Sequence, residues 1–186
     1  MSKELSSLGH PDKAVALSSL AGQATAPRRV DLTVLFADVR GFTKVSANHP
    51  PEVIIEIIQR LIEPIHQVIY SHGGIVDKHL GDGLMAVFGL GETSGQKAGV
   101  AACVALCDTV AKTIEGLPEP FNSLKMSLGL ASGGVVVGLV GSAARQELAI
   151  IGQPANFAAR LQEFTKVALD PDHIGSKCLG PFNKVI

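Results

Sequence analysis

Apolar residues follow two rhythms along this chain of 186 residues. In residues 30–38, Val30, Leu32, Val34, Leu35 and Phe36 form a nearly unbroken apolar run. That density of β-branched and aromatic residues predicts a buried strand. After Pro50-Pro51 the rhythm changes, and Ile54, Ile57, Ile58, Leu61, Ile62, Ile65, Val68 and Ile69 recur at helical spacing. Proline suits the first turn of a helix, and Gly73-Gly74 ends this one. Pro64 lies inside the pattern and predicts a kink near Arg60 and Leu61, because its ring crowds the preceding turn.

Strand-like runs follow at residues 75–79 and 84–88, around a turn at Leu80-Gly81-Asp82-Gly83, so a hairpin is expected. Residues 96–115 read as a second helix with Val100, Val104, Val110 and Ile114 inward. Residues 124–130, 134–140 and 148–151 read as strands, and 155–166 as a third helix after Gly152-Gln153-Pro154. The order β, α, β, β, α, β, β, β, α predicts an α+β fold built on a ferredoxin-like sheet. Residues 1–28 are rich in Ser, Ala, Gly and Pro and read as a leader with a short helix at 13–20. Residues 167–186 show no clear periodicity, and no internal repeat is present.

Composition narrows the function. The formal net charge is −1, with one Tyr and no Trp, so neither a basic field nor stacking aromatics point to nucleic acid. No apolar stretch reaches the ~20 residues that span a bilayer. The N-terminal segment lacks the apolar block of a signal peptide, so a cytoplasmic protein is the expectation. Cys103 and Cys107 share a helix face without nearby His, which suits core packing better than zinc.

The candidate chemistry centres on two acids. Asp38 lies in Val34-Leu35-Phe36-Ala37-Asp38-Val39-Arg40-Gly41-Phe42-Thr43, and Asp82 in Lys78-His79-Leu80-Gly81-Asp82-Gly83. Alone, the first reads as a turn cap and the second as a turn residue. Together, each at a strand end beside Gly, they form an oxygen donor pair for hard cations, the equipment of phosphoryl chemistry. The turn at residues 39–43 offers backbone N–H groups that suit phosphate. Asn156 and Arg160 are spaced i, i+4 and share one face of the third helix. On most helices such a pair is simply solvated, as is a strand Lys such as Lys78. No GxxxxGK[ST] occurs, which excludes a P-loop NTPase, and no Gly-Gly-Asp/Glu-Glu-Phe hairpin is present.

Phe36-Ala37-Asp38-Val39-Arg40-Gly41-Phe42-Thr43, Lys78-His79-Leu80-Gly81-Asp82 and Ile151 to Leu161 resemble the three motifs of the class III adenylyl/guanylyl cyclase catalytic domain, over about residues 29–166. The resemblance implies that Asp38, Asp82 and the carbonyl of Val39 hold two Mg²⁺ or Mn²⁺ ions. It implies contacts to nucleotide from Phe42 and Thr43, base recognition by Lys78 and position 149, ribose orientation by Asn156 and phosphate stabilisation by Arg160. It also implies a head-to-tail homodimer with shared sites, acting on ATP because Lys78 can donate to adenine N1. Two departures stand out. Ala149 lacks the side-chain acceptor usual at its position, and residues 167–186 do not match the family's further sheet, as if truncated or diverged. Two other readings stay open, a weak or inactive cyclase-homology module and a guanylyl cyclase.

Overall fold

The computed structural model describes residues 27–90, 94–142 and 145–168. The leader helix expected at 13–20 and the tail from 169 lie outside them. The first strand, β1 (Arg28–Arg40), runs into a short helix α1 (Phe42–Ser46), then the long helix α2 (Pro51–Ser71). The hairpin β2 (Ile75–Leu80) and β3 (Gly83–Phe88) follows, then α3 (Gly95–Glu115), β4 (Lys125–Ser142), β5 (Arg145–Ile151) and α4 (Gln153–Ala168). Five strands pair in the order β2-β3-β1-β4-β5, every pairing antiparallel. The first four have the ferredoxin-like order, and β5 extends the sheet beyond β4. The expected α+β architecture is therefore the observed one.

Alternation along β1 divides the core into two layers. Leu35, Ala37 and Val39 point to one face, which α2 and α3 cover with Ile57, Leu61, Ile65, Ile69, Leu106 and Val110. Val34 and Phe36 point to the other face, with Met85, Val87 and Ala158 of α4. Asp38 continues this second series. At about 25 cal/mol per Å² of apolar surface removed from water, the two layers are the main favourable term. Pro64 sits within α2, which runs as one helix from Pro51 to Ser71.

Several sequence expectations change. Residues 124–130 and 134–140 belong to one long strand, because Gly133 and Gly134 stay in register opposite Leu32 and Asp31 of β1. Val104, expected inward, is 50% exposed. Gly99 sets the phase of α3: a Cβ there would lie 2.8 Å from Thr33 Cγ2, so Gly99, Cys103, Leu106, Val110 and Ile114 face the sheet. Val104 is turned about 100° from Cys103. For the same reason Cys103 is buried and Cys107, expected beside it in the core, is exposed. Burial pushes the Cys103 thiol up to about 12, with Cys107 adding to the shift. No helix among the described residues is long and apolar enough to cross a membrane.

Candidate active site

Strand β1 ends where the chain must turn sharply. Gly41 takes the left-handed conformation (φ 80°), which an L side chain rarely adopts, and α1 begins immediately after it. The N–H of Val45 donates to Gly41 O at 3.1 Å. The β2–β3 turn is equally tight: Leu80 pairs with Gly83, and Gly81 has φ 70°.

The two turns meet. Ala37 is opposite Leu84, so the next residues, Asp38 and Gly83, are neighbours across the strands. A Cβ on Gly83 would lie 2.6 Å from Ala37 O and 2.9 Å from Asp38 Oδ1. Only glycine allows the turn carrying Asp82 to lie this close against Asp38. Both acids are half-buried. They are hard oxygen donors of the kind Mg²⁺ and Mn²⁺ take. Among the described residues no group of three or more His, Cys, Asp and Glu could hold a metal ion. A cation here would thus use a carboxylate pair, main-chain oxygen, and oxygens of substrate and water, which fits Mg²⁺.

Two residues that the sequence reading missed secure Asp38 from β4 and α4. Ser127 lies opposite Asp38 on β4, and its hydroxyl donates to the Asp38 carbonyl at 3.2 Å. Gln162 Nε2 donates to Ser127 Oγ at 2.6 Å and to Asp38 Oδ2 at 3.4 Å. Ser127 is 1% and Gln162 7% exposed, so neither group meets bulk water. Gly129 makes this proximity possible: a Cβ there would fall on Ala158 O and Gln162 N, and within 2.8 Å of Gln162 Cβ. A sequence signal existed. Pro154, Ala158 and Gln162 form the buried i, i+4 stripe of α4, and a glutamine on such a stripe needs a polar partner.

The remaining expected residues are arranged differently. Asn156 and Arg160 are both exposed on α4, on the side away from Ala158 and Gln162. Lys78 is on edge strand β2 and Ala149 on edge strand β5, so they lie at opposite edges of the sheet. Lys78 Nζ is 3.3 Å from Asp77 Oδ2, with the lysine side chain 45% exposed. Asp77 is buried, its side chain 5% exposed, so the lysine reaches from solvent to a buried carboxylate. Ala149 is half-buried opposite Gly138. The ring of Phe42 is 7% exposed and belongs to the core, so only its backbone can contact a ligand, whereas Thr43 is exposed. The Val39 side chain is also buried, which leaves its carbonyl as the group with donor chemistry.

The adenylate and guanylate cyclase catalytic domain model matches residues 25–168, and the chain belongs to this family. Two uncharacterised proteins of Mycobacterium tuberculosis are similar to it: Rv1320c, 33% identical over 137 residues, and Rv1319c, 31% identical over 135. The matched segments are 73% and 72% of this chain but 23% and 24% of those proteins, so it spans about a quarter of their length. The adenylyl cyclase CyaB from P. aeruginosa superposes with a TM-score of 0.66 at 30% identity, over 75% of this chain and 74% of that one. The guanylyl cyclase Cya2 does so at 0.63 and 28%, over 75% and 73%. The family and fold are those of class III nucleotidyl cyclases, and the two solved structures are one adenylyl and one guanylyl cyclase.

Proposed function

We propose that residues 29–166 form an adenylyl cyclase domain that converts ATP to 3′,5′-cyclic AMP and pyrophosphate at sites shared between two copies of the chain. One observation carries the reading. Asp38 and the Asp82 turn meet within the chain, while Asn156 and Arg160 face outward from the helix that supports Asp38. A chain so built has a metal-binding half-site on one side and a phosphate-binding half-site on another. A head-to-tail homodimer brings the two halves together twice, by its two-fold symmetry. Exposed Phe157 and Phe164 on α4 and Ile151 on β5, each about 60% exposed, offer apolar surface for that contact.

The chain's residues take these roles. Asp38, Asp82 and the Val39 carbonyl hold two Mg²⁺ or Mn²⁺ ions. Bound divalent ions supply charge neutralisation for the attacking 3′-oxygen and the departing pyrophosphate. Backbone N–H groups at Phe42 and Thr43 bind phosphate oxygens. From the partner subunit, Asn156 orients the ribose and Arg160 offers a planar fork of donors to the α-phosphate. The ribose 3′-oxygen then attacks the α-phosphorus in line, its proton leaves to solvent, and the bond to pyrophosphate breaks. Lys78 of the partner subunit donates to adenine N1, and the fold operates in the cytoplasm.

Purified protein incubated with ATP or GTP and Mn²⁺, followed by chromatography, tests this. Cyclic AMP as the main product is expected. Cyclic GMP alone would reverse the base assignment. No product from either nucleotide would favour a regulatory cyclase-homology module.

A further inference from the structure

The buried polar trio of Asp38, Ser127 and Gln162 carries a role that the catalytic reading does not use. An amide nitrogen has two hydrogens. One goes to Ser127 Oγ at 2.6 Å and the other to Asp38 Oδ2 at 3.4 Å. The Ser127 hydroxyl, having accepted from Gln162, donates to the Asp38 carbonyl at 3.2 Å. Every donor in this ring has a consistent direction. Asp38 is thereby gripped at both its side chain and its main chain. Oδ2 is taken by Gln162, while Oδ1 is the oxygen facing Gly83 and the turn of Asp82.

We propose that Gln162 is a positioning residue for the metal-binding carboxylate of Asp38, fixing its rotamer so that Oδ1 faces the Asp82 turn before any ion arrives. The role rests on the reading of Asp38 as a metal ligand. Gly129 is its structural precondition, because only a residue without Cβ lets α4 approach β4 closely enough for Gln162 to reach Asp38. Outer groups that orient a ligand typically change metal affinity by about 10–100-fold when removed. Without its donor, Asp38 loses the fixed rotamer, and ordering that side chain opposes metal binding.

The test uses the full chain and Mn²⁺ alone, with free Mn²⁺ followed by electron paramagnetic resonance. Gln162→Met keeps length and removes both donors. It should weaken Mn²⁺ binding about tenfold, while the circular dichroism spectrum and cooperative melting persist. The rate at saturating Mn²⁺ should recover more fully than the rate at low Mn²⁺. Ser127→Ala, which removes the second anchor of the amide, should shift binding in the same direction by less. It carries the test if Gln162→Met does not fold. Asp38→Asn is measured beside them. If Asp38→Asn loses Mn²⁺ but the folded Gln162 and Ser127 variants bind like wild type, the positioning role is wrong and the metal reading stands. If Asp38→Asn also binds like wild type, the metal reading fails, and the positioning role falls with it.

Discussion

Arg160 and Gln162 are two residues apart on α4 and face opposite ways: Arg160 is exposed, while Gln162 reaches 3.4 Å from Asp38 Oδ2. At about 100° per residue, two positions amount to roughly 200° around the helix. Arg160 therefore cannot turn toward the Asp38 of its own chain without unwinding α4. One helix holds its own chain's acid and presents an arginine to whatever docks outside. The shared-site proposal follows from this division of faces.

The two acids come first among the expected outcomes. Asp38→Asn and Asp82→Asn should each abolish cyclic nucleotide formation and leave the melting profile of a folded protein. Each substitution keeps the shape of the side chain and removes the charge that a divalent ion requires. Turnover assays at saturating Mn²⁺ check this. A variant with near wild-type rate would remove its aspartate from the site.

Gly83 tests the same centre without touching a carboxylate. In Gly83→Ala the new Cβ meets Ala37 O and Asp38 Oδ1 at 2.6 and 2.9 Å. The backbone oxygen cannot yield as a flexible side chain would, so the turn carrying Asp82 must lift away from Asp38. A higher Mn²⁺ requirement and a lower rate are expected, measured as activity against Mn²⁺ concentration. An unchanged Mn²⁺ profile would show that the spacing of the two turns does not matter.

Base choice gives a third outcome. ATP should be preferred over GTP only modestly, since Ala149 supplies no side-chain acceptor. A missing hydrogen-bond partner of this kind is worth about 1–3 kcal/mol. Ala149→Thr should raise the ratio of kcat/KM for ATP over GTP. An unchanged ratio would show that position 149 does not face the base.

How much of this was legible in the sequence depends on distance along the chain. The acids and their turns were legible, because the signals are local: apolar run, acid, glycine. The hairpin and the face of α2 were legible for the same reason. The Gln162 contact to Asp38 was not. It joins residues 124 positions apart and depends on the register of β1 with β4 and on the absence of a Cβ at Gly129. The phase of α3 was legible in part: Val110 and Ile114 are buried and Val100 packs against the core, but Val104 is exposed because Gly99 against Thr33 decides which face meets the sheet. Motifs show which residues are available for chemistry, and tertiary register shows which of them meet.

The two described cysteines give a pH-dependent outcome. Burial raises both thiols, Cys103 to about 12 and Cys107 by less, with Asp108 adding at Cys107. Near neutral pH both remain protonated and alkylate slowly. Peptide mapping after iodoacetamide should find Cys107 modified first and Cys103 protected until unfolding. The stability linkage has a definite sign. Cys103 binds its proton more tightly when folded, so its contribution is complete below about pH 9 and is lost as pH rises toward 12. Melting temperature should therefore fall less steeply over that window in Cys103→Ala than in wild type. Equal slopes would contradict the burial of a protonated thiol.

Complementation between two inactive variants reads out whether Asp38 and Arg160 act across a subunit boundary. Asp38→Asn should be inactive alone, and Arg160→Ala nearly so. When they are mixed and allowed to exchange subunits, each heterodimer has one site with both defects and one with neither. Random pairing should then restore roughly a quarter of wild-type sites, by the two-fold symmetry of such a dimer. Cyclic nucleotide formation in the mixture, at about that level and absent from either variant alone, is expected of shared sites. A mixture that stays inactive after subunit exchange is verified would show that Asp38 and Arg160 do not act across a subunit boundary.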